Sequence, residues 1–186
     1  MRIIFLLLIL FPLTSQASFL FNYGLNYDSE TEASDNEYTK TRTFHKVFLG
    51  ASVNNRKTVF FGWNINSWTS TVTMGGGEED NYSLMEMGPK IIWFIGESQN
   101  WYLSGEWNPY VTGTRTKLGT EGDIRGSGLG VGAGYRFRLS RLWGMGAGLH
   151  YHSMSMTDET IDNAKEDISD KVTNIMPMLE ISILTK

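Results

Sequence analysis

The chain has 186 residues, 20 acidic and 16 basic side chains for a net charge of −4, and no cysteine. That length holds one ordinary domain rather than two. The missing cysteines exclude a disulfide framework, a thiol nucleophile and a Cys-based metal site, and the acidic balance without a basic patch excludes nucleic acid.

The N-terminus carries an export signal. Met1-Arg2 supplies a positive start, Ile3 to Leu13 form an apolar run broken only by Pro12, and Thr14-Ser15-Gln16-Ala17 places small residues at a cleavage site. Cleavage after Ala17 leaves Ser18 first, dividing the chain into a signal peptide at 1–17 and a mature domain at 18–186. An uncleaved anchor is the alternative, but the run falls short of the roughly 20 residues that span a bilayer.

From residue 18 onward, period-two alternation marks one strand after another. The first sets Phe19, Phe21, Tyr23, Leu25 and Tyr27 against Leu20, Asn22, Gly24 and Asn26. The second sets Val47, Leu49, Ala51 and Val53 against Lys46, Phe48 and Gly50, and the third Val59, Phe61, Trp63 and Ile65 against Phe60, Gly62 and Asn64. In the fourth, Met85, Met87, Ile91, Trp93 and Ile95 oppose Leu84, Glu86, Gly88, Lys90 and Ile92. The fifth places Trp101, Leu103, Trp107 and Val111 opposite Tyr102, Ser104, Glu106, Asn108 and Tyr110. Leu129 to Phe137 alternate with glycines, Arg136 and Arg138 in the sixth, and Trp143 to Tyr151 with glycines, His150 and His152 in the seventh. The eighth sets Ile175, Leu179, Ile181 and Ile183 against Asn174, Met176, Met178, Glu180 and Ser182.

Connections alternate as well. Those after the odd strands are long and polar (29–40, 73–81, 115–125 and 157–171), while those after the even strands are short (54–56, 96–100 and 139–140). The pattern predicts an all-β, eight-stranded antiparallel up-and-down transmembrane β-barrel. The bulky apolar face exceeds what so narrow a ring can enclose, so it points outward, which suits lipid rather than water. A soluble barrel binding an apolar ligand is the opposite arrangement. Phe19, Tyr27, Trp93, Trp101, Trp143 and Tyr151 fall near strand ends as an aromatic girdle.

The small-residue face then lines the lumen and carries Lys46, Glu86, Lys90, Glu106, Arg136, Arg138 and Glu180. Buried charges must pair, so a network is expected around Glu86, Lys90, Glu106 and Arg136, with Lys46 and Arg138 alternatively hydrated near the ends. Side chains such as Phe60, Trp68, Tyr102 and Tyr110 are expected to fill the space over the glycines of strands six and seven, leaving little open channel for a porin.

In strand number, loop alternation and inward charges the mature chain resembles the small eight-stranded outer-membrane barrels, the OmpA transmembrane domain and OmpX-like proteins. The resemblance implies a Gram-negative outer-membrane location. It also implies an envelope-structural or surface-interaction role, and a few such barrels are lipid-modifying enzymes. Two features depart from it. The chain ends Ile183-Leu184-Thr185-Lys186 without the usual closing aromatic, and Pro89, Pro109 and Pro177 interrupt strands, where bulges accommodate them.

Candidate chemistry is sparse. His150 and His152 with Ser153 raise a lipid A deacylase-like reading, but the His-x-Ser spacing is absent and they read more simply as polar residues near the rim. A His pair with His45 as a third ligand is the corresponding metal reading. All carboxylates but Glu86, Glu97, Glu106 and Glu180 fall in or beside the long connections. Glu78, Glu79, Asp80, Asp158 and Asp162 are the candidates there for calcium or magnesium bridging to lipopolysaccharide, against the plainer reading of a solvated surface. Expected partners are outer-membrane lipid and lipopolysaccharide, with an external protein or surface contacted through the long loops.

Overall fold

In a computed structural model the described residues are 18–32, 38–74, 79–96, 98–117, 119–161 and 164–185. The signal segment expected at 1–17 lies outside them. They form β1 (Phe19–Glu32), β2 (Tyr38–Ser52), β3 (Val59–Met74), β4 (Glu79–Ile95), β5 (Trp101–Lys117), β6 (Thr120–Arg138), β7 (Trp143–Ile161) and β8 (Ala164–Leu184). Each strand pairs antiparallel with its sequence neighbours, and β8 returns to β1, closing an eight-stranded up-and-down barrel.

One mouth of the barrel is trimmed by tight turns. After β2, Asn54 Oδ1 accepts the amides of Thr58 at 2.9 Å and Val59 at 3.0 Å, and Lys57 adopts φ 55°. Gly96 supplies φ 75° after β4, a conformation an L side chain resists. At the other mouth the segments read from sequence as long loops are largely strand. The hairpins β1/β2, β3/β4, β5/β6 and β7/β8 continue the ladder to Glu32↔Tyr38, Thr73↔Glu79, Lys117↔Thr120 and Ile161↔Ala164. Alternation persists there with Thr and charged residues in place of apolar ones, so a hydropathy reading alone misses it.

The outward face is apolar around the ring. Trp63, Trp93, Trp101, Trp107 and Trp143 are 48–59% exposed, in company with Leu49, Phe61, Val131, Leu149 and Leu179. About half or more of each of these side chains is left uncovered by protein, and water is the wrong solvent for a continuous belt of this kind.

Inside, side chains fill the lumen in layers. Leu20, Phe48, Phe60, Ile92, Phe94, Tyr102 and Leu184 close the tight-turn half. Phe44, Trp68, Leu84, Val111, Ile124 and four methionines close the hairpin half. A polar layer lies between them.

Two irregularities matter. Pairing slips between Glu106 and Tyr110 against β4 and between Asn108 and Val111 against β6, which inserts one extra residue into β5 at Pro109-Tyr110. Beyond it the facing inverts. Tyr110, expected in the lumen, is 63% exposed, and Val111, expected outside, is 3% exposed in the lumen. A proline without a ladder donor is the sequence cause. The second is the closing seam, where only Leu20–Leu25 pair with Leu179–Leu184. Above it Asn26 Nδ2 donates to the Pro177 carbonyl at 2.8 Å, a side-chain substitute for the next ladder bond.

Candidate functional site

The lumen's polar layer is the site with the densest chemistry, and it is assembled from inward positions of β1, β2, β3, β4, β5, β7 and β8. Glu106 sits at its centre. Its Oε1 accepts from Lys46 Nζ at 2.9 Å and Asn66 Nδ2 at 3.4 Å, and Lys90 Nζ lies 3.5 Å from its Oε2. Lys46 Nζ is also 3.5 Å from His150 Nδ1, and His150 Nε2 is 2.9 Å from Glu180 Oε1. Tyr102 donates its hydroxyl to the same Glu180 oxygen at 2.6 Å, while Asn22 Nδ2 donates to Oε2 at 3.3 Å.

An asparagine bridge extends the network to a second acid. Asn64 Nδ2 donates to Asn66 and Asn108, each at 3.1 Å, and Asn108 Nδ2 donates to Glu86 Oε2 at 2.9 Å. His152 Nε2 closes the chain, 2.9 Å from that oxygen. Three carboxylates thus stand against two lysines and two histidines, all buried. Removing so many charges from water is costly, and mutual pairing with hydrogen bonds to the remaining lone pairs is what makes it tolerable.

Space for the network comes from the glycine wall. A Cβ at Gly128 falls 2.8 Å from Glu86 Oε2, and one at Gly130 falls 2.6 Å from Glu106 Oε1. At Gly134 it falls 2.5 Å from the Tyr102 hydroxyl. The wall is smooth because the acids and Tyr102 lean on it.

Several expected placements need correction. Arg136 is not part of the ionic core: its guanidinium lies 4.8 Å over the Phe94 ring and its NH1 donates to Ser182 at 3.4 Å. The bottom of β6 carries it toward the tight-turn mouth, below the acids. Arg138 is exposed and reaches Gln99, whereas Lys46 is buried at the centre rather than hydrated at an end. His150 and His152 are not rim residues. β7 runs far beyond them, placing Met154 and Met156 above, so both rings are buried. Ser153 points to the other face of β7, and both histidines hydrogen-bond to carboxylates, with no serine hydroxyl among their partners. His45 lies on the outer face, bonded to the Tyr23 hydroxyl at 2.8 Å.

The acidic candidates do not converge. Glu78 and Asp162 lie outside the described residues. Asp80 faces Arg115 at 3.1 Å, and Asp158 faces Lys165 at 2.6 Å, whose ammonium holds that carboxyl below its ordinary range. Among the described residues no group of three or more His, Asp or Glu side chains could hold a metal.

Phe19, Trp93, Trp101 and Trp143 are outward near the tight-turn mouth, and Tyr27 and Tyr151 are outward toward the hairpin end. Tyr102 and the asparagines 22, 64, 66 and 108 were not singled out as site residues. Their one signal in the sequence is a run of asparagines on the inward phase of otherwise hydrophobic strands.

No protein-family model matches the sequence, and no curated protein does. Solved structures match at the level of shape. Neisserial surface protein A superposes with a TM-score of 0.56 at 12% identity, covering 92% of this chain and 99% of that one. The chain shares the fold of that surface protein, a closed up-and-down barrel of eight antiparallel strands. Two autotransporter domains match less well. The NalP translocator domain of Neisseria meningitidis has a TM-score of 0.45 at 13% identity, over 98% of this chain and 67% of that one. The β-domain of Bordetella BrkA has a TM-score of 0.48 at 8% identity, over 91% and 99%. At 12% identity the barrel shares its architecture with Neisserial surface protein A, and its lumen must be read from its own residues.

Proposed function

We propose that the mature chain is a non-enzymatic, closed barrel of the outer membrane. It would serve to support the envelope or to present its four strand-extended hairpins outside the cell. The observation that carries this reading is the belt of outward tryptophans and aliphatics around a lumen filled by side chains and ion pairs. Lipid satisfies such an exterior, and a filled interior leaves no continuous aqueous path.

The orientation follows the usual arrangement, with tight turns in the periplasm and long hairpins outside. Export requires the N-terminal signal, and sequencing of the purified protein should begin at Ser18. Fractionation tests location: the protein should sediment with the outer membrane and change gel mobility between unboiled and boiled samples. In planar bilayers it should give no steady conductance. A detergent-free soluble monomer would contradict the membrane reading, and a stable ohmic channel would contradict the closed lumen.

The lipid-modifying alternative lacks a supporting arrangement, because the lumenal histidines are spent on carboxylates and both are enclosed. Unchanged lipid A acylation with and without the protein is the expected result. A soluble barrel with an apolar ligand would need the tryptophans inside, opposite to their placement. Of the acidic candidates for a divalent cation, Asp80 and Asp158 are already paired with Arg115 and Lys165, and Glu79 accepts from Asn81.

A further inference from the structure

Immediately beyond the apolar belt, toward the hairpin end, the outer faces of β1 to β5 carry an uncharged hydroxyl array. The register aligns Tyr27, Thr43, Thr69, Ser83 and Thr114 in one row across five strands. The next row outward is Ser29, Thr41, Thr71, Asn81 and Thr116. Adjacent strands lie about 4.8 Å apart and successive outward residues about 6.7 Å apart, so the hydroxyls form a regular sheet. These threonines and serines are exposed or partly exposed, and among the described residues none of their hydroxyls hydrogen-bonds within the protein.

The array stops sharply at β6. There Thr114 and Thr116 are paired with Asp123 and Glu121, and Thr112 with Arg125. One sector of the exterior is therefore neutral and hydroxylated while its neighbour is charged.

We infer that this sector is a docking surface for the sugar portion of outer-leaflet glycolipid. The inference rests on the membrane reading above. Continuity decides the occupant: the array lies on the same strand faces as the lipid belt, one step outward, where headgroups replace acyl chains. Its chemistry decides the class. Neither row carries a Lys or Arg, so nothing there is suited to holding phosphate. Neither row carries a carboxylate, so nothing repels an anionic lipid from approaching. Each threonine presents a methyl beside a hydroxyl, matching the mixed C–H and O–H surface of a hexose. At the lower edge Tyr27, 67% exposed, and Tyr110, 63% exposed, add aromatic rings with polar tips of the kind that suit such a boundary.

The test uses the full mature barrel in phosphatidylcholine nanodiscs. These are doped either with lipopolysaccharide carrying core sugars or with lipid A lacking them, and retained glycolipid is read by native mass spectrometry. The native barrel should retain the core-bearing form preferentially. Thr43→Val/Thr69→Val/Thr114→Val removes three hydroxyls without changing shape or strand propensity, and should lower that retention about tenfold while leaving lipid A unaffected. Thr→Ser at the same positions should keep the preference. Equal retention of both glycolipids by the native barrel, or an undiminished preference in the valine variant, would overturn the proposal. Mobility shift on boiling is scored on every sample. Its presence in the native barrel with no sugar preference rejects the docking surface alone, whereas its absence, with no incorporation, rejects the membrane reading and the proposal with it.

Discussion

Glu106 is the residue on which the lumen's charge balance turns, since it accepts from Lys46 and faces Lys90. Glu106→Gln leaves two buried ammonium groups without the carboxylate they face and should cost about 3–5 kcal/mol in urea unfolding from vesicles. Replacing the group as a whole, with Lys46→Met and Lys90→Met added, should recover most of that loss, because an apolar filling needs no counter-charge. Failure of the triple variant to regain stability would mean that the cluster acts through something other than charge pairing. Gly134 tests the packing side of the same layer. Its missing Cβ makes room for the Tyr102 ring, so Gly134→Ala should displace Tyr102 from Glu180 and destabilise by about 1–3 kcal/mol. At this scale the sequence was partly legible. Alternation places Lys46, Glu86, Lys90, Glu106 and Glu180 inward, but pairing depends on height along tilted strands, which alternation does not encode. That is why Arg136 falls below the acids and the histidines fall among them.

At the scale of the strand, the bulge in β5 shows how a single residue resets a face. Trp107 and Tyr110 point out while Asn108 and Val111 point in, so Pro109 is the supernumerary position. Deleting Pro109 leaves every other side chain on its present face, and the variant should still fold with a normal mobility shift. Deleting Thr112 instead turns Arg115 outward, away from Asp80, and should impair folding. Equal behaviour of the two deletions would refute the placement of the bulge. The seam between β1 and β8 makes a second expectation. β8 above Leu179 lacks ladder partners on β1, so amides of 168–176 should exchange with solvent faster than those of 179–184 in hydrogen-exchange measurements. The sequence contains Pro89, Pro109 and Pro177 but not their consequences. Whether a proline ends a strand, bulges it or marks a seam depends on which neighbour its absent N–H would have served. Strand ends were misjudged for a different reason. Hydropathy falls to polar values where the strands leave the apolar belt, although the period of two continues through Thr39, Thr41 and Thr43 and through Thr69, Thr71 and Thr73.

Over the whole molecule, architecture was the most legible feature because it is encoded redundantly. Eight alternating segments, alternating connection lengths and a bulky face too large for a narrow ring all lead to one closed barrel. The asymmetry of the exterior was less accessible, since it arises only when register aligns residues from five strands into rows. The placement of tryptophans joins these levels: Trp68 lies in the lumen and the other five point outward. Fluorescence quenching in bilayers of acyl-brominated phospholipid tests that placement most directly. Single-tryptophan variants retaining Trp63, Trp93, Trp101, Trp107 or Trp143 should be strongly quenched by the brominated chains, and a variant retaining only Trp68 should be spared. Quenching of Trp68 with sparing of the other five, or indifference of all six to the lipid, would contradict a barrel that faces the membrane with its apolar belt.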